Sequence, residues 1–423
     1  MRILYLHQHY SGPQGATATR SHAMATALTR QGHHVTILCG RYQGAVTGLI
    51  GGYHKGRREG LLRGLRLIEL DISYDNAMGV AARTAAFARY AAQASRLALS
   101  QRWDLVIASS TPLTVAIPAL LAQRLRGTPF LFEIRDPWPE LPAALGGLPG
   151  PVLAGMGRLA DAACRRASAV IALSEGMAQT ALDRGAGPGR VHVVPNGCDL
   201  ELFGPHVAPW RPAEAAPWEA LAVYAGAHGR ANGLDQLLDA AALLQARDER
   251  RLRLLLVGEG AEKPRLMARA GEMGLANVSF LDPMPKRQLA ALLAGCQMGV
   301  QCLAPVPEFA EWTAPNKLMD YLAAGLPVVS TLSGRAGRLL AEGPCGIAPP
   351  PGDAAAGAGD MAHSLAESLA WLAGHPAQRA AMGRAARDQA VRRWDRRLQA
   401  ARFAEIVRLT AARPATETAL VPA

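Results

Sequence analysis

The chain has 423 residues, of which 50% are hydrophobic and 19% charged, and its formal net charge at pH 7 is +11. This length and composition are typical of a folded protein of about two domains, and they exclude a fibrous or disordered chain. The basic excess leaves three kinds of partner open: nucleic acid, an anionic membrane surface and a polyanionic small substrate.

Short apolar runs alternate with helical stretches through the first half of the chain. Met1 to Leu6 is followed by a glycine-containing loop, a helical stretch from Arg20 to Arg30 and a second apolar run from Val35 to Leu38. This order is the βαβ signature, which predicts a parallel sheet. Further strands are predicted at residues 105–108, 130–132, 169–173 and 191–194.

A segment rich in proline and tryptophan, residues 204–218, is predicted to be a linker. The alternation then resumes, with strands predicted at residues 221–225, 252–257, 278–281, 298–302 and 327–331. We therefore predict an α/β protein of two doubly wound, Rossmann-like domains, residues 1–203 and 219–390, facing a central cleft that binds the ligands. We expect residues 391–410 to form a helix that crosses back to the first domain, and the polar tail 411–423 to be disordered.

The six cysteines are scattered, without a C-x-x-C pair or a cluster of histidines nearby. Their pattern argues against a zinc site or a disulfide framework and suits a reducing compartment. No stretch of about 18 residues is apolar enough to span a bilayer, and Met1 to Leu6 is too short for the apolar core of a signal peptide. We therefore expect a cytoplasmic protein.

Charged residues stand at the end of the strand at 130–132, where the sequence reads FLFEIRDPWPEL. Glu133, Arg135 and Asp136 are costly to bury there unless they serve a site or pair with one another. Both interpretations stay open on the residues alone. The loop with Gly12 and Gly15 after the first strand could bind an anion through its backbone N–H groups, or be a plain turn.

The second half has similar features, each of which is weak alone. The sequence YAGAHGRANGLDQLLD follows a predicted strand, and its three glycines let the backbone approach a ligand beside Arg230. Gly258 lies in a second glycine turn, VGEG. The segment APNKLMD begins a predicted helix, so Lys317 or the first helical N–H groups could hold a phosphate, while Asp320 could accept ribose hydroxyl groups.

Taken together, these segments resemble glycosyltransferase family 4, the retaining sugar transferases of the GT-B fold. The similarity is greatest to the subgroup of O-antigen and capsule assembly that includes fucosamine-type amino-sugar transferases. It rests on six segments in the expected order: RILYLHQHY with TRSHAMATALTRQGHHVTIL, FEIRDPWPE, VVPNGCDLELF, YAGAHGRANGLDQLLDA, LLLVGEG and APNKLMDYLAAGLPVV.

The resemblance implies roles for matching positions. Arg135 stands where many relatives have a histidine, and with Asp136 and Glu133 it is the expected catalytic or sugar-positioning group. His9 and Trp138 are expected to contact the acceptor. The residues expected to bind the donor are Gly15, Arg20, His228, Arg230, Gly258, Asn316, Lys317 and Asp320.

The chain departs from the family pattern at the donor site. Asp320 matches the second glutamate of the E-x(7)-E pattern, but the first glutamate falls on Trp312. The arginine and lysine that commonly clamp the diphosphate fall on Ala227 and Asn232. We expect Arg230 and Lys317 to replace them.

The implied reaction transfers a glycosyl group from a nucleotide-diphosphate sugar, expected to be a UDP-sugar, with retention of configuration. The acceptor is expected to be a glycan, a lipid-linked sugar or a small molecule. Because no D-x-D motif occurs, we expect no metal and no other cofactor. A sugar-nucleotide epimerase of similar architecture is the alternative enzyme. Nucleic-acid binding has only the charge in its favour, since no recognised motif supports it.

Arginines are spaced helically from Asn76 to Leu99, and a second basic cluster spans Arg57 to Arg66. Both could dock on anionic lipid at the inner face of the plasma membrane, as a lipid-linked acceptor would require. The alternative is a helix packed on the core with its arginines in water.

Overall fold

The computed structural model describes residues 1–15, 19–75, 78–146, 148–306, 309–312, 315–349 and 358–412. Residues 413–423 of the predicted tail lie outside these ranges. The chain divides into two compact units, one of Met1–Pro195 with the residues from Arg397 on, and one of Asn196–Arg396. The division falls earlier than the predicted boundary at residue 203.

The first unit contains an eight-stranded sheet with the strand order β3-β4-β2-β1-β5-β6-β7-β8. Its strands are β1 Arg2–Leu6, β2 His34–Tyr42, β3 Arg57–Leu62, β4 Leu65–Tyr74, β5 Leu105–Ser109, β6 Phe130–Ile134, β7 Ala169–Ala172 and β8 Val191–Val193. Its helices are α1 Arg20–Arg30, α2 Val80–Ser100, α3 Ala116–Arg126, α4 Glu140–Leu145, α5 Gly150–Arg166 and α6 Glu175–Asp183.

The sheet of the first unit is parallel except at one edge. Strand β3 pairs with β4 in antiparallel register through a two-residue turn, in which Leu62 lies opposite Leu65. Arg63 and Gly64 both adopt positive φ, 50° and 84°, which is the backbone of a tight hairpin turn. The basic cluster at Arg57 to Arg66 therefore lies in a hairpin at the edge of the sheet. Within this hairpin, Arg66 pairs with Glu59 at 3.0 Å.

The core of the first unit lies on both faces of its central strands, because β1 and β5 are bordered by parallel neighbours and covered by helices. In α1, Met24 and Leu28 are fully buried against the sheet. The helix α15, Arg396–Ala412, adds Phe403 and Val407 to the same core. The last helix therefore packs in the first unit.

The second unit contains a six-stranded parallel sheet with the order β11-β10-β9-β12-β13-β14. Its strands are β9 Ala220–Ala225, β10 Leu252–Val257, β11 Val278–Leu281, β12 Met298–Gln301, β13 Val328–Ser330 and β14 Gly346–Ile347. Its helices are α7 Asp235–Ala246, α8 Lys263–Glu272, α9 Lys286–Gly295, α10 Phe309–Trp312, α11 Asn316–Ala324, α12 Arg335–Glu342, α13 Ala358–Gly374 and α14 Pro376–Arg393.

The segment after β8 is fixed by residues far along the chain. The N–H of Cys198 donates to the carbonyl of Trp394 at 2.7 Å, and the N–H of Arg396 donates to the carbonyl of Cys198 at 2.9 Å. A Cβ on Gly197 would lie 2.8 Å from the Cα of Arg396. Gly197 does not have a positive φ. Close backbone approach, rather than a turn, is what requires glycine at this position.

Candidate functional site

The strand order reverses once in each sheet, beside β1 in the first unit and beside β9 in the second. In open parallel sheets, ligands bind outside the carboxyl ends of the strands at such switch points. The predicted site residues follow β1 and β6 in the first unit, and follow β9 and β10 or begin α11 in the second. Each unit therefore has its own candidate site.

Lys317, in the first turn of α11, reaches the end of β9. Its Nζ donates to the hydroxyl oxygen of Tyr224 at 2.8 Å and to Oδ1 of Asn232 at 3.3 Å. A Cβ on Gly226 would lie 3.0 Å from this Nζ, so a larger residue there would crowd the ammonium group. In the family pattern a lysine stands at the position of Asn232. Lys317 reaches the same place from α11 and lies beside Asn232.

The ammonium group of Lys317 has neutral neighbours only. Within the described ranges no carboxylate lies within the 4 Å of an ion pair, and its partners are a phenol and an amide. Burial lowers the pKa of Lys317 from 10.5 to about 7, because a charge away from water loses its hydration. A cation held in this way is stabilised by an incoming anion.

Two glycine loops meet beside this lysine. A Cβ on Gly258 would lie 1.9 Å from the carbonyl oxygen of Gly226, and a Cβ on Gly260 would lie 2.3 Å from that of His228. Gly258 also has a φ of 144°, in the region that favours glycine. The loops after β9 and β10 can approach this closely only because both positions lack a side chain.

His228 lies between these two loops and is fully buried. Neither ring nitrogen has a hydrogen-bond partner in the part of the chain that the structure describes. Burial first, and then the positive charge of Lys263, lower the pKa of His228 from 6.5 to about 4. The ring is therefore neutral at pH 7, with one donor and one acceptor to offer a ligand.

Asp320, one turn further along α11, is 4% exposed and pairs with Lys286 at 2.6 Å. Burial raises its pKa above 3.8, an effect that the ammonium of Lys286 opposes. Its Oδ1 is buried without a partner among the described residues. Oδ2 of Asp320 is thus bound by Lys286, and Oδ1 could accept a hydrogen bond from a ribose hydroxyl group.

The other predicted donor residues of the second unit are more dispersed. Asn316 begins α11, and its Oδ1 is buried without a partner in the described ranges. Arg230 is exposed and lines a shallow pocket that also contains Asp235 and Arg265. The side chain that lies against Gly226 of the glycine loop is that of Lys317, whereas the side chain of Arg230 is exposed.

Arg20 and Glu133 form a buried ion pair in the first unit. Nε of Arg20 donates to Oε1 of Glu133 at 2.9 Å, and both side chains are fully buried. The other nitrogens of Arg20 donate to the carbonyl oxygens of Pro195 at 2.6 Å and Val194 at 2.8 Å. These contacts favour a structural role for Arg20 over the predicted contact with the donor. They likewise favour a structural role for Glu133 over the predicted catalytic role.

Several groups compete to set the pKa of Glu133. Burial would raise it, but the guanidinium groups of Arg20 and Arg135 and a hydrogen bond from Ser109 bring it below 4.5. Ser109 Oγ donates to Oε2 of Glu133 at 2.5 Å. The carboxylate is therefore ionised at pH 7, and both of its oxygens accept hydrogen bonds from the protein. A general acid or base needs an oxygen that is free to exchange a proton with the substrate.

Arg135 follows β6 and is half-buried. Its Nη1 donates to Nε2 of His7 at 2.5 Å, while Nδ1 of His7 lies 2.8 Å from Oγ of Ser21. Because a guanidinium only donates, Nε2 of His7 must accept and Nδ1 must carry the proton. Burial and the adjacent Arg135 lower the pKa of His7 well below 6.5, so His7 holds Arg135 as a neutral ring.

Asp136 is next in the chain. Its Oδ2 accepts a hydrogen bond from Oγ1 of Thr111 at 3.1 Å. Burial raises its pKa above 3.8, and the opposing effects of Arg135 and Thr111 are smaller. A carboxyl group with a raised pKa at a strand end is a candidate for proton transfer.

His9 and Trp138, the predicted acceptor residues, belong to one aromatic group. The ring of His9 lies 4.2 Å from that of Tyr74, and Phe87 links Tyr74 to Trp138 through ring distances of 5.4 and 6.4 Å. Burial and the charge of Arg135 lower the pKa of His9 to about 3. Nε2 of His9 and Nε1 of Trp138 are both buried without a partner in the residues described.

Gly15 lies in the loop after β1, where a Cβ would be 2.0 Å from Oγ of Ser11. Its packing explains the glycine without a ligand. The sequence prediction missed His7 and Tyr224, which hold Arg135 and Lys317. His7 stands at the end of the first strand beside His9, and this position was the signal that could have found it.

Among the described residues, no three histidine, cysteine, aspartate or glutamate side chains come close enough to hold a metal ion. In the same ranges no helix is long and apolar enough to cross a membrane.

Two family models match the chain in tandem. Residues 15–197 match the glycosyl transferase 4-like domain, and residues 219–367 match the glycosyl transferases group 1. Among curated proteins, the chain is similar to D-inositol 3-phosphate glycosyltransferase of Kribbella flavida, with 31% identity over 49% of this chain and 48% of the relative. It is similar to the putative colanic acid biosynthesis glycosyl transferase WcaI of Escherichia coli, with 30% identity over 56% of this chain and 59% of the relative. The matches span about half the length of these curated relatives.

Solved structures match over nearly the whole chain. Sucrose-phosphate synthase of Thermosynechococcus elongatus has a TM-score of 0.73 at 18% identity, over 97% of this chain and 100% of that one. HepE of Anabaena, in complex with UDP and glucose, has a TM-score of 0.65 at 18% identity, over 97% and 100%. The E. coli structure of trehalose-6-phosphate bound with UDP-2-fluoro glucose has a TM-score of 0.71 at 13% identity, over 98% and 100%. At these identities the likeness shows the fold alone.

Proposed function

Because the chain belongs to the glycosyltransferases of the GT-B fold, with one glycosyltransferase domain in each half, we propose that it transfers a glycosyl group from a nucleotide-diphosphate sugar to an acceptor. The observation that carries the proposal is the ammonium group of the half-buried Lys317, which lies beside the glycine loop after β9 with a phenol and an amide as its partners. A diphosphate is the ligand that this arrangement fits.

Three features of the second unit support a diphosphate there. Lys317 supplies positive charge, and the absence of a side chain on Gly226 leaves room beside it. The N-terminus of α11, at Asn316, supplies orphan N–H groups and the positive end of the helix dipole. His228 and Oδ1 of Asp320 offer buried hydrogen-bonding atoms to the rest of the donor.

The nucleotide is proposed to be UDP, since solved relatives of this fold carry UDP or a UDP-sugar. The resemblance to fucosamine-type enzymes favours an N-acetylated amino sugar or a deoxy sugar as the transferred group. The name of the E. coli relative, which refers to colanic acid biosynthesis, supports polysaccharide assembly as the setting. No part of this donor assignment depends on a metal.

In the proposed reaction, the bond between the anomeric carbon and the β-phosphate oxygen breaks as the acceptor oxygen bonds to the same carbon. The proton of the acceptor hydroxyl group passes to the departing phosphate, on the same face of the sugar, so configuration is retained. Negative charge grows on the diphosphate as the bond breaks. Lys317 and the first N–H groups of α11 lower the barrier by stabilising that charge more than the ground state.

Attachment to anionic lipid is proposed for the first unit. Arg89 and Arg96 lie on the exposed face of α2, and Ile50 and Leu61 are 98% and 72% exposed near the edge hairpin. Exposed basic and apolar side chains are the groups that bind an anionic bilayer. Removing anionic lipid from vesicles should abolish sedimentation of the protein with them, and unchanged sedimentation would reject the attachment. The predicted cytoplasmic location stays a prediction.

A nucleotide panel tests the donor site. UDP, GDP, dTDP and ADP are each added at increasing concentration, and the unfolding temperature is recorded, because a ligand of the folded state raises it by mass action. We expect UDP to give the largest rise and Lys317→Met to remove it. Arg287→Gln, a change on α9, serves as the charge-matched control. If no nucleotide raises the unfolding temperature of the wild type, the donor site is wrong.

A further inference from the structure

Arg135 presents a charged guanidinium group at the switch point of the first unit without an acidic partner. Its side chain contacts His7, a neutral ring. In the part of the chain that the structure describes, no carboxylate lies within ion-pair distance of it. Glu133 and Asp136 are close enough for its charge to lower their pKa values, but neither forms a direct ion pair with it.

The two nearest acidic residues are committed elsewhere. Glu133 is bonded to Arg20 and Ser109, so its lone pairs are taken up inside the sheet. Asp136 accepts from Thr111, and burial raises its pKa. Neither carboxyl group bonds directly to the guanidinium of Arg135, although both lie within two residues of it in the chain.

Buried polar atoms without partners surround the same strand ends. Gln8 is fully buried, and both atoms of its amide lack a partner among the described residues. Nε2 of His9 and Nε1 of Trp138 are in the same state. Leaving such groups unbonded is unfavourable, so their presence together points to a ligand that bonds them. A ligand with hydroxyl groups fits this set, and the rings of His9 and Trp138 suit the apolar face of a sugar.

We propose that the first unit binds an anionic sugar, a phosphate- or carboxylate-bearing acceptor whose charged group is held by Arg135. His7 is the positioning residue, because its Nε2 fixes Nη1 of Arg135 and leaves the other guanidinium nitrogens for the anion. A guanidinium matches a phosphate or carboxylate with two parallel hydrogen bonds. The assignment of the anionic sugar as the acceptor rests on the proposed function, whereas the anion site itself rests on this geometry.

The test compares neutral and anionic probes on the full chain. Binding of glucose, glucose 6-phosphate, glucuronate and inorganic phosphate is measured by calorimetry with UDP at saturation, so that the donor site is filled. The wild type is expected to bind glucose 6-phosphate or glucuronate at least about tenfold more tightly than glucose, as a charge-assisted bond implies. Arg135→Gln should remove that preference. Arg135→Lys should retain part of it, and Arg158→Gln, an exposed change on α5, should leave it intact.

Each outcome decides the matter. Equal affinity for neutral and anionic sugars, a preference that survives Arg135→Gln, or no binding of any anionic probe would overturn the proposal. If Arg135→Gln instead weakens UDP binding, the anion is a phosphate of the donor, and the acceptor assignment is rejected. UDP binding that Lys317→Met removes, together with no anionic preference, would leave the proposed function standing and sink only this inference. His7→Gln should weaken the anionic probes and spare glucose.

Discussion

Replacing Lys317 with methionine separates the function of this residue from its contribution to stability. The ammonium group sits against Tyr224 and Asn232 with no counter-charge, so the folded protein holds it at a cost. We expect Lys317→Met to unfold at a higher denaturant concentration than the wild type at pH 7 and yet to lose affinity for UDP. A residue that stabilises the fold would show the opposite change in stability.

The size of the effect follows from the pKa of Lys317, which burial lowers from 10.5 to about 7. At about 1.4 kcal/mol per pH unit, that shift corresponds to at most about 5 kcal/mol of unfavourable burial of the charge. Above pH 7 the folded protein has lost a proton that the unfolded chain still carries. The free energy of unfolding of the wild type should therefore rise with pH between about 7 and 10.5, relative to Lys317→Met.

Nucleotide binding should reverse this ionisation. A diphosphate raises the pKa of a nearby lysine, so at pH 8, where ligand-free Lys317 is mostly neutral, binding draws a proton from the buffer. Calorimetry with UDP in two buffers of different ionisation enthalpy measures that uptake. We expect nearly one proton at pH 8 and none in Lys317→Met, with UDP affinity falling up to about tenfold per pH unit above pH 7.

Lys317→Arg is the matched control, because arginine keeps its charge throughout this range. Its affinity for UDP should not change between pH 7 and 9. If UDP binds the wild type without proton uptake and with constant affinity over that range, Lys317 does not contact the diphosphate. The reasoning about its uncompensated charge would then be refuted.

Two buried ion pairs give further predictions. Asp320→Asn leaves the ammonium of Lys286 buried beside a neutral amide, so the free energy of unfolding in urea should fall by about 3–5 kcal/mol. The double change Asp320→Asn with Lys286→Met should recover most of that loss. The affinity for UDP, measured separately, reports the ribose contact. Glu133→Gln should cost a similar amount by stranding Arg20. Since the pKa of Glu133 lies below 4.5, that stability is present above pH 4.5 and lost as pH falls through the folded value, so the two acid-unfolding curves should converge.

Much of the fold could be predicted because burial leaves a pattern in single elements. Strand β5, Leu105–Ser109, is buried at every position and reads as a continuous apolar run. Helix α1 begins and ends at Arg20 and Arg30, as predicted. The hairpin of β3 and β4 was missed because its arginines dominate the composition. Its turn at Arg63 and Gly64 requires positive φ at both residues, and the glycine was a weak signal for it.

The site was predicted less completely, because hydrogen-bond partners far apart in the chain cannot be found from local pattern. Arg20 and Glu133 are 113 residues apart, and only the sheet brings them together. The resemblance placed both in the site, whereas the structure shows them bonded to each other. Lys317 was predicted as a phosphate ligand, but Tyr224, which fixes its position, was not.

The two candidate sites share one electrostatic arrangement, and this bears on how transfer is controlled. In each unit a cation lies at the switch point with neutral partners, Lys317 beside a phenol and Arg135 beside a neutral imidazole. A carboxylate at either position would stabilise the free protein and compete with the substrate for the charge. Neutral partners hold the cation in place without satisfying it. If both proposals hold, binding energy is gained when an anion arrives, and each substrate should stabilise the unit that binds it.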